Sequence, residues 1–236
     1  MLFNNIIRFL FVKRCFLCGK IISFPDNADL PTRACKSCLD NIRLTNYTPI
    51  INFSAIKKGK RYFSMAYAPF FYTLSIKQAI LRFKFRNQKN LSAFFAKFMC
   101  VAFMDNDFLK DIDYMIPVPI SKDKMKKRGY NQSLELAKDI ELDKNIEILD
   151  KVLIKTKVNK TQSNMLNIKE KVSNVSGVYK VVSNEKIKDK KILLIDDIVT
   201  TGATANECAK ALIDAGAKEV LLLVIATAGF SKRKPS

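Results

Sequence analysis

The chain has 236 residues, 48% of them hydrophobic, which is enough to bury the core of one α/β domain with a small appendage. Its 41 Lys and Arg face only 22 Asp and Glu, and the resulting formal charge of +19 points to a polyanionic partner. Histidine is absent, which excludes Ser-His and Cys-His catalysis.

Residues 1–12 are apolar at Leu2, Phe3, Ile6, Ile7, Leu10 and Phe11 and are interrupted by Arg8. They lack a basic leader and a small-residue cleavage site, so they read as an amphipathic helix packed on the protein rather than as a signal peptide. Contact with a membrane surface is the other reading of such a helix. A cytoplasmic location, near the inner membrane, is expected.

Next come Cys15-x2-Cys18 and Cys35-x2-Cys38, two pairs separated by sixteen residues. Each pair presents two thiolates to one tetrahedral ion, so the spacing predicts a closed, structural zinc site. Two disulfides are the alternative, disfavoured in a reducing compartment. Residues 1–60 carry ten basic and three acidic side chains and are taken as the zinc-finger module, with residues 61–236 as the α/β domain.

Two basic clusters follow. Lys77, Arg82, Lys84, Arg86 and Lys89 interleave with Phe83 and Phe85, a composition suited to single-stranded nucleic acid because phosphates meet cations while bases stack on rings. Lys122, Lys124, Lys126 and Lys127 run into Arg128 and Gly129 as a flexible basic loop, which reads equally as a phosphate-binding segment or a solvated lysine-rich face. Cys100 and Cys208 sit in helical patterns among Phe98, Val101, Ala205 and Ala209, as small buried hydrophobes.

Short apolar or alternating runs at 115–120, 146–154, 178–182, 192–195 and 220–225 predict strands, with helical patterns at 132–140 and 205–215. Strands alternating with helices predict a mostly parallel sheet flanked by helices. The last run is too short to span a bilayer.

The segment with the most chemistry is 192–204, ILLIDDIVTTGAT. An unbroken apolar run predicts a strand buried on both faces, ended by Asp196 and Asp197 at the sheet edge where α/β ligands bind. Thr200, Thr201, Gly202, Ala203 and Thr204 then form a hydroxyl-rich turn opening a helix, whose amides and dipole attract phosphate. The simpler reading is an acidic strand end followed by a threonine-capped helix. Neither GxxxxGK[ST] nor GxGxxG occurs.

This strand, diacid and hydroxyl loop resemble the phosphoribosyl pyrophosphate (PRPP) motif of type I phosphoribosyltransferases. The resemblance implies that Asp196 and Asp197 contact the ribose hydroxyls and that Thr200, Thr201, Gly202, Ala203 and Thr204 hold the 5-phosphate, with magnesium arriving on the diphosphate.

A wider resemblance, to the ComF (ComFC-like) competence proteins, spans nearly the whole chain. It rests on the four cysteines, Tyr72 before the basic 77–86 helix, and Pro117-Val118-Pro119 leading to Arg128-Gly129-Tyr130-Asn131-Gln132. Thr161-Gln162, Asn174 and Gly177 continue it. It implies a type I phosphoribosyltransferase-like fold with a zinc finger, acting in natural transformation on incoming single-stranded DNA beside competence helicase or DNA-uptake machinery. Pro119 and Ile120 would lie by the pyrophosphate, and Arg128 would approach it as a bidentate donor. Where family members commonly carry an arginine after the Thr-Gln pair, this chain has Lys169, Glu170 and Lys171.

Two functions follow. One is a PRPP-binding, DNA-binding competence protein without turnover. The other is a phosphoribosyltransferase with a nucleobase or other acceptor, in which positioning and electrostatics carry the chemistry.

Overall fold

The computed structural model describes residues 14–22, 33–46, 50, 60–104, 109, 111–141, 146–156 and 177–228. The expected helix at 1–12, and Thr161, Gln162, Lys169, Glu170, Lys171 and Asn174, lie outside them. In chain order the elements are α1 (Lys36–Asp40), β1 (Ala66–Tyr67), β2 (Phe70–Phe71), α2 (Leu74–Phe85), α3 (Leu91–Met104) and β3 (Tyr114–Pro117). Then follow α4 (Lys122–Arg128), α5 (Gln132–Asp139), β4 (Glu147–Ile148), β5 (Leu153–Lys155), β6 (Tyr179–Val181), β7 (Lys191–Val199), α6 (Ala203–Asp214) and β8 (Glu219–Thr227).

The sheet runs β1-β8-β7-β3-β4, with β2 also on β8, and every pairing in it is parallel. The core of β7 and β8 reads as continuous apolar residues because both faces are covered. Leu193, Ile195, Leu221, Leu223 and Ile225 face α2, α3 and α5. Ile192, Leu194, Leu222 and Val224 face α6 and the β5–β6 ribbon.

Three expected strands take other bounds. The 115–120 run stops pairing early: β3 matches β7 only up to Pro117 and Ile195, and Val118 N–H to Ile195 O at 2.9 Å is the last bond between them. Pro117 and Pro119 have no N–H to extend the ladder. The 146–154 run divides, because a turn at Asp150–Val152 lifts the chain off the sheet after β4 and starts β5, which pairs antiparallel with β6. Strand β7 does not end at the diacid; Asp196, Ile198 and Val199 continue pairing with Val224, Ala226 and Thr227 of β8.

The chain passes from β3 outward to β4, then returns to β7 and goes on to β8 in the other direction. The carboxyl ends of β3 and β7 therefore flank the reversal point, where open α/β sheets leave a crevice. The early end of β3 widens that crevice and leaves Asp196 and Asp197 on its wall.

The four-cysteine segment packs directly on this domain. Cys15, Leu17 and Ala34 belong to the same buried cluster as Phe83, Phe94 and Leu193, and Phe16 meets Phe94 edge-on at 5.7 Å. Among the described residues no helix is long and apolar enough to cross a membrane.

Candidate functional site

A cavity of about 300 Å³ occupies the crevice. It gathers all ten residues that the PRPP resemblance singled out: Pro119, Ile120, Arg128, Asp196, Asp197, Thr200, Thr201, Gly202, Ala203 and Thr204. Their placement follows from local rules. Gly202 sits at φ +81° as the N-cap of α6, a left-handed conformation that suits glycine, and no side chain caps the helix there. A threonine cap is therefore not how this helix begins. Thr201 Oγ1 accepts from Ala203 N at 3.4 Å, and the first turn of α6 brings its dipole to the cavity.

The two acids have different partners. Asp196 Oδ1 accepts from Ser133 Oγ at 3.1 Å and from Asp197 N at 2.8 Å. Burial, reinforced by the charge of Asp197, raises the Asp196 carboxyl to about 7 against those hydrogen bonds and Lys84. Asp197 receives Lys84 Nζ at 2.7 Å, with both side chains mostly buried at 12% and 17% exposure. Ser133 is placed by Asn131, the N-cap of α5, whose side chain accepts from Ser133 N and donates to Val118 O, each at 3.1 Å.

The stretch 122–128 is a helix, not a loop: Ser121 caps its start, and Gly129 at φ +77° ends it with its N–H on Met125 O. From it Lys124 and Arg128 reach the cavity. Arg128 donates to Gln132 Oε1 at 2.7 Å and lies 5.0 Å over the Phe85 ring. Lys155 enters from β5, with its Nζ 3.2 Å from the Tyr179 hydroxyl.

The residues assigned to nucleic acid from sequence therefore separate. Lys84 and Lys124 line the cavity. Arg82 NH2 donates to Phe16 O at 2.5 Å and Leu17 O at 2.8 Å, holding the cysteine segment. Lys89 lies 4.0 Å from Glu135 and 5.0 Å over the Tyr130 ring. Lys77, Arg86, Lys122, Lys126 and Lys127 are exposed. Phe83 is fully buried between Phe95 and Tyr130 and is not free to stack on a base, whereas Phe85 is 61% exposed. Lys155 and Tyr179 line the cavity and Ser133 holds Asp196 beside it; none of the three was singled out from sequence.

At the other site, the Sγ atoms of Cys15, Cys18, Cys35 and Cys38 all lie within 4.8 Å of one another, with Cys18 to Cys35 at 3.9 Å. Zinc–sulfur bonds of about 2.3 Å give a tetrahedron edge of about 3.8 Å, so the donor set fits that ion. Cys15 Sγ also accepts from the backbone N–H of Leu17, Cys18 and Cys35 at 3.3 to 3.5 Å. Burial pushes this thiol up, but those N–H groups outweigh it and bring it down to about 7.

Comparison with known proteins agrees with this geometry. Residues 130–236 match the phosphoribosyl transferase domain. Competence protein F of Haemophilus influenzae is 31% identical over 153 residues, 63% of this chain and 66% of that protein. Competence protein ComFC of Streptococcus pneumoniae is 33% identical over 154 residues, 65% of this chain and 64% of that protein. An orotate phosphoribosyltransferase of Helicobacter pylori is 47% identical over 49 residues, 21% of this chain and 24% of that protein. The match spans just under two thirds of the two competence proteins' length. With its parallel sheet, phosphoribosyl transferase domain and N-terminal four-cysteine cluster, the chain resembles the ComF competence proteins.

Proposed function

We propose that this protein binds PRPP in the β3–β7 cavity, holds a structural zinc on Cys15, Cys18, Cys35 and Cys38, and handles single-stranded DNA during competence. Residues 1–60 would act as the zinc module and 61–236 as the sugar-phosphate domain. The observation that carries this reading is the convergence of the diacid, the Gly202 turn and the α6 N-terminus on one cavity at the sheet's reversal point. Asp196 and Asp197 would accept the ribose hydroxyls, and the 200–204 turn would take the 5-phosphate. Magnesium, on this reading, arrives with the diphosphate rather than residing on the protein.

DNA binding is supported by the exposed cations Lys77, Arg86, Lys122, Lys126 and Lys127 and by exposed Phe85. A groove beside the cysteines adds Arg14, Arg33, Arg82 and Arg86 around Cys15 and Cys18.

A transferase is the second reading. In it the same diacid and hydroxyl loop would hold the donor while an acceptor takes the ribose phosphate.

Isothermal titration of PRPP into zinc-loaded protein with magnesium tests the binding, with pyrophosphate release followed on adding single-stranded DNA or free bases. Binding without release supports a PRPP-binding protein without turnover; binding with release makes the protein a transferase. Absence of binding overturns both.

A further inference from the structure

Asn131, Gln132 and Ser133 are three polar residues in a row at the start of α5, and all are buried, at 8%, 1% and 2% exposure. Holding the helix against the sheet does not require them, since Leu136 and Ala137 supply its apolar contact. One side chain is enough to cap the helix, and Asn131 does so by accepting from Ser133 N. Burying a polar side chain costs free energy unless it finds a partner. The partners of these three lie in different walls of the β3–β7 cavity.

Successive residues of a helix point about 100° apart, so adjacent side chains here reach different elements. Asn131 Nδ2 donates to Val118 O at 3.1 Å, just past the end of β3 and next to Pro119. Gln132 Oε1 accepts from Arg128 Nη1 at 2.7 Å, and Gln132 Nε2 donates to Tyr130 O at 3.3 Å. Tyr130 in turn donates its hydroxyl to Phe83 O, which ties this corner to α2. Ser133 Oγ donates to Asp196 Oδ1 at 3.1 Å, on β7. Three consecutive residues therefore hold the β3 end, α4 and β7 in place around the cavity, although none of them lines it.

Each bond leaves its partner with capacity for a ligand. Asp196 Oδ1 already takes Ser133 Oγ and Asp197 N, which uses both of its lone pairs and reserves Oδ2 for a sugar hydroxyl. Arg128 spends one N–H on Gln132, and a guanidinium carries five in a rigid fork. We infer that Ser133 and Gln132 are positioning residues for the sugar-phosphate ligand: Ser133 aims the Asp196 carboxyl group at the ribose hydroxyls, and Gln132 aims the Arg128 guanidinium at the magnesium-borne diphosphate. This rests on the PRPP reading above. Neither side chain touches the ligand; each acts through the group it holds. Asn131 serves both the cap and the β3 end, so the other two residues carry the test.

That test is titration of the full, zinc-loaded chain, with magnesium present, by ribose 5-phosphate and by inorganic pyrophosphate as separate probes. Ser133→Ala should weaken ribose 5-phosphate about tenfold and leave pyrophosphate within about twofold, as the loss of one hydrogen bond to a charged group predicts. Gln132→Met should do the reverse, and Gln132→Asn, too short to reach Arg128 but still polar, should match it. A general loosening of the fold lowers both affinities together, so the probe that each variant still binds reports that it is folded. Equal losses for the two probes across these variants, or no loss for either, overturn the positioning roles while the sugar-phosphate reading stands. Failure of the wild-type chain to bind either probe overturns that underlying reading instead.

Discussion

Arg82 donates to the carbonyl oxygen of Leu17 at 2.8 Å, and this bond ties the first cysteine turn to α2, two residues before Lys84 reaches Asp197. One helix therefore touches both the four-cysteine cluster and the β3–β7 cavity. Removing the guanidinium leaves the Phe16 and Leu17 carbonyls without it and loses a charged donor at a partly buried site. Arg82→Ala is expected to cost roughly 2 to 3 kcal/mol in denaturant unfolding, with exposed Lys77→Ala within about 0.5 kcal/mol of wild type.

Metal removal should reach beyond the cysteines. Because Cys15, Leu17 and Ala34 share a core cluster with α2 and α3, loss of the ion loosens packing on the sheet as well as the local turns. One zinc per chain is expected by elemental analysis. Cys18→Ser should lower both the zinc content and the Tm, and an unchanged Tm in zinc-free protein would show the cluster to be energetically separate.

Asp196 links stability to pH in the direction opposite to an ordinary salt-bridged acid. Its carboxyl is raised from 3.8 to about 7 by burial and by Asp197, opposed by the Asp197 N–H, Lys84 and Ser133. The folded state therefore binds the proton more tightly than the unfolded chain does, and stability falls as pH rises from about 4 through 7. Asp196→Asn removes that slope and should stabilise the protein at pH 8, on the order of 2 to 4 kcal/mol. The same change, alone or with Asp197→Asn, should abolish PRPP binding. A double variant that still binds the donor would refute the site.

The parts of this protein legible in the sequence are those with short-range signatures. CxxC spacing located the cysteine cluster, and the apolar run with its diacid and Gly202 located the strand, turn and helix of the cavity. What the sequence hid was side-chain direction. Lys84 and Arg82 looked like members of one basic stripe, yet they point to an acid and to the cysteine segment respectively, because α2 is buried on its Phe83 side. Lys155 and Tyr179 come from the antiparallel ribbon, whose pairing across many intervening residues leaves no local pattern. The division of the 146–154 run turned on a single turn at Asp150–Val152, too short to interrupt an apolar pattern.

On the proposed single-strand binding, Lys77, Arg86, Lys122, Lys126 and Lys127 are the exposed cations of the two basic clusters available to phosphate. Counterion release makes the logarithm of affinity fall linearly with the logarithm of salt, and each phosphate contact removed lowers the slope by about 0.7 for a single strand. Lys126→Ala with Lys127→Ala should therefore flatten the salt dependence by roughly 1.4 while leaving PRPP binding intact, since both are exposed and outside the cavity lining. Phe85→Ala should weaken binding by about 1 to 3 kcal/mol if bases stack on its exposed ring, with little change in the salt slope. Phe83→Ala should instead destabilise the fold by roughly 3 to 5 kcal/mol, because that ring fills the core between Phe95 and Tyr130. Fluorescence anisotropy of a labelled oligonucleotide across a salt series separates these effects, and an affinity that is flat with salt in wild-type protein would remove the basic surface from the account of DNA handling.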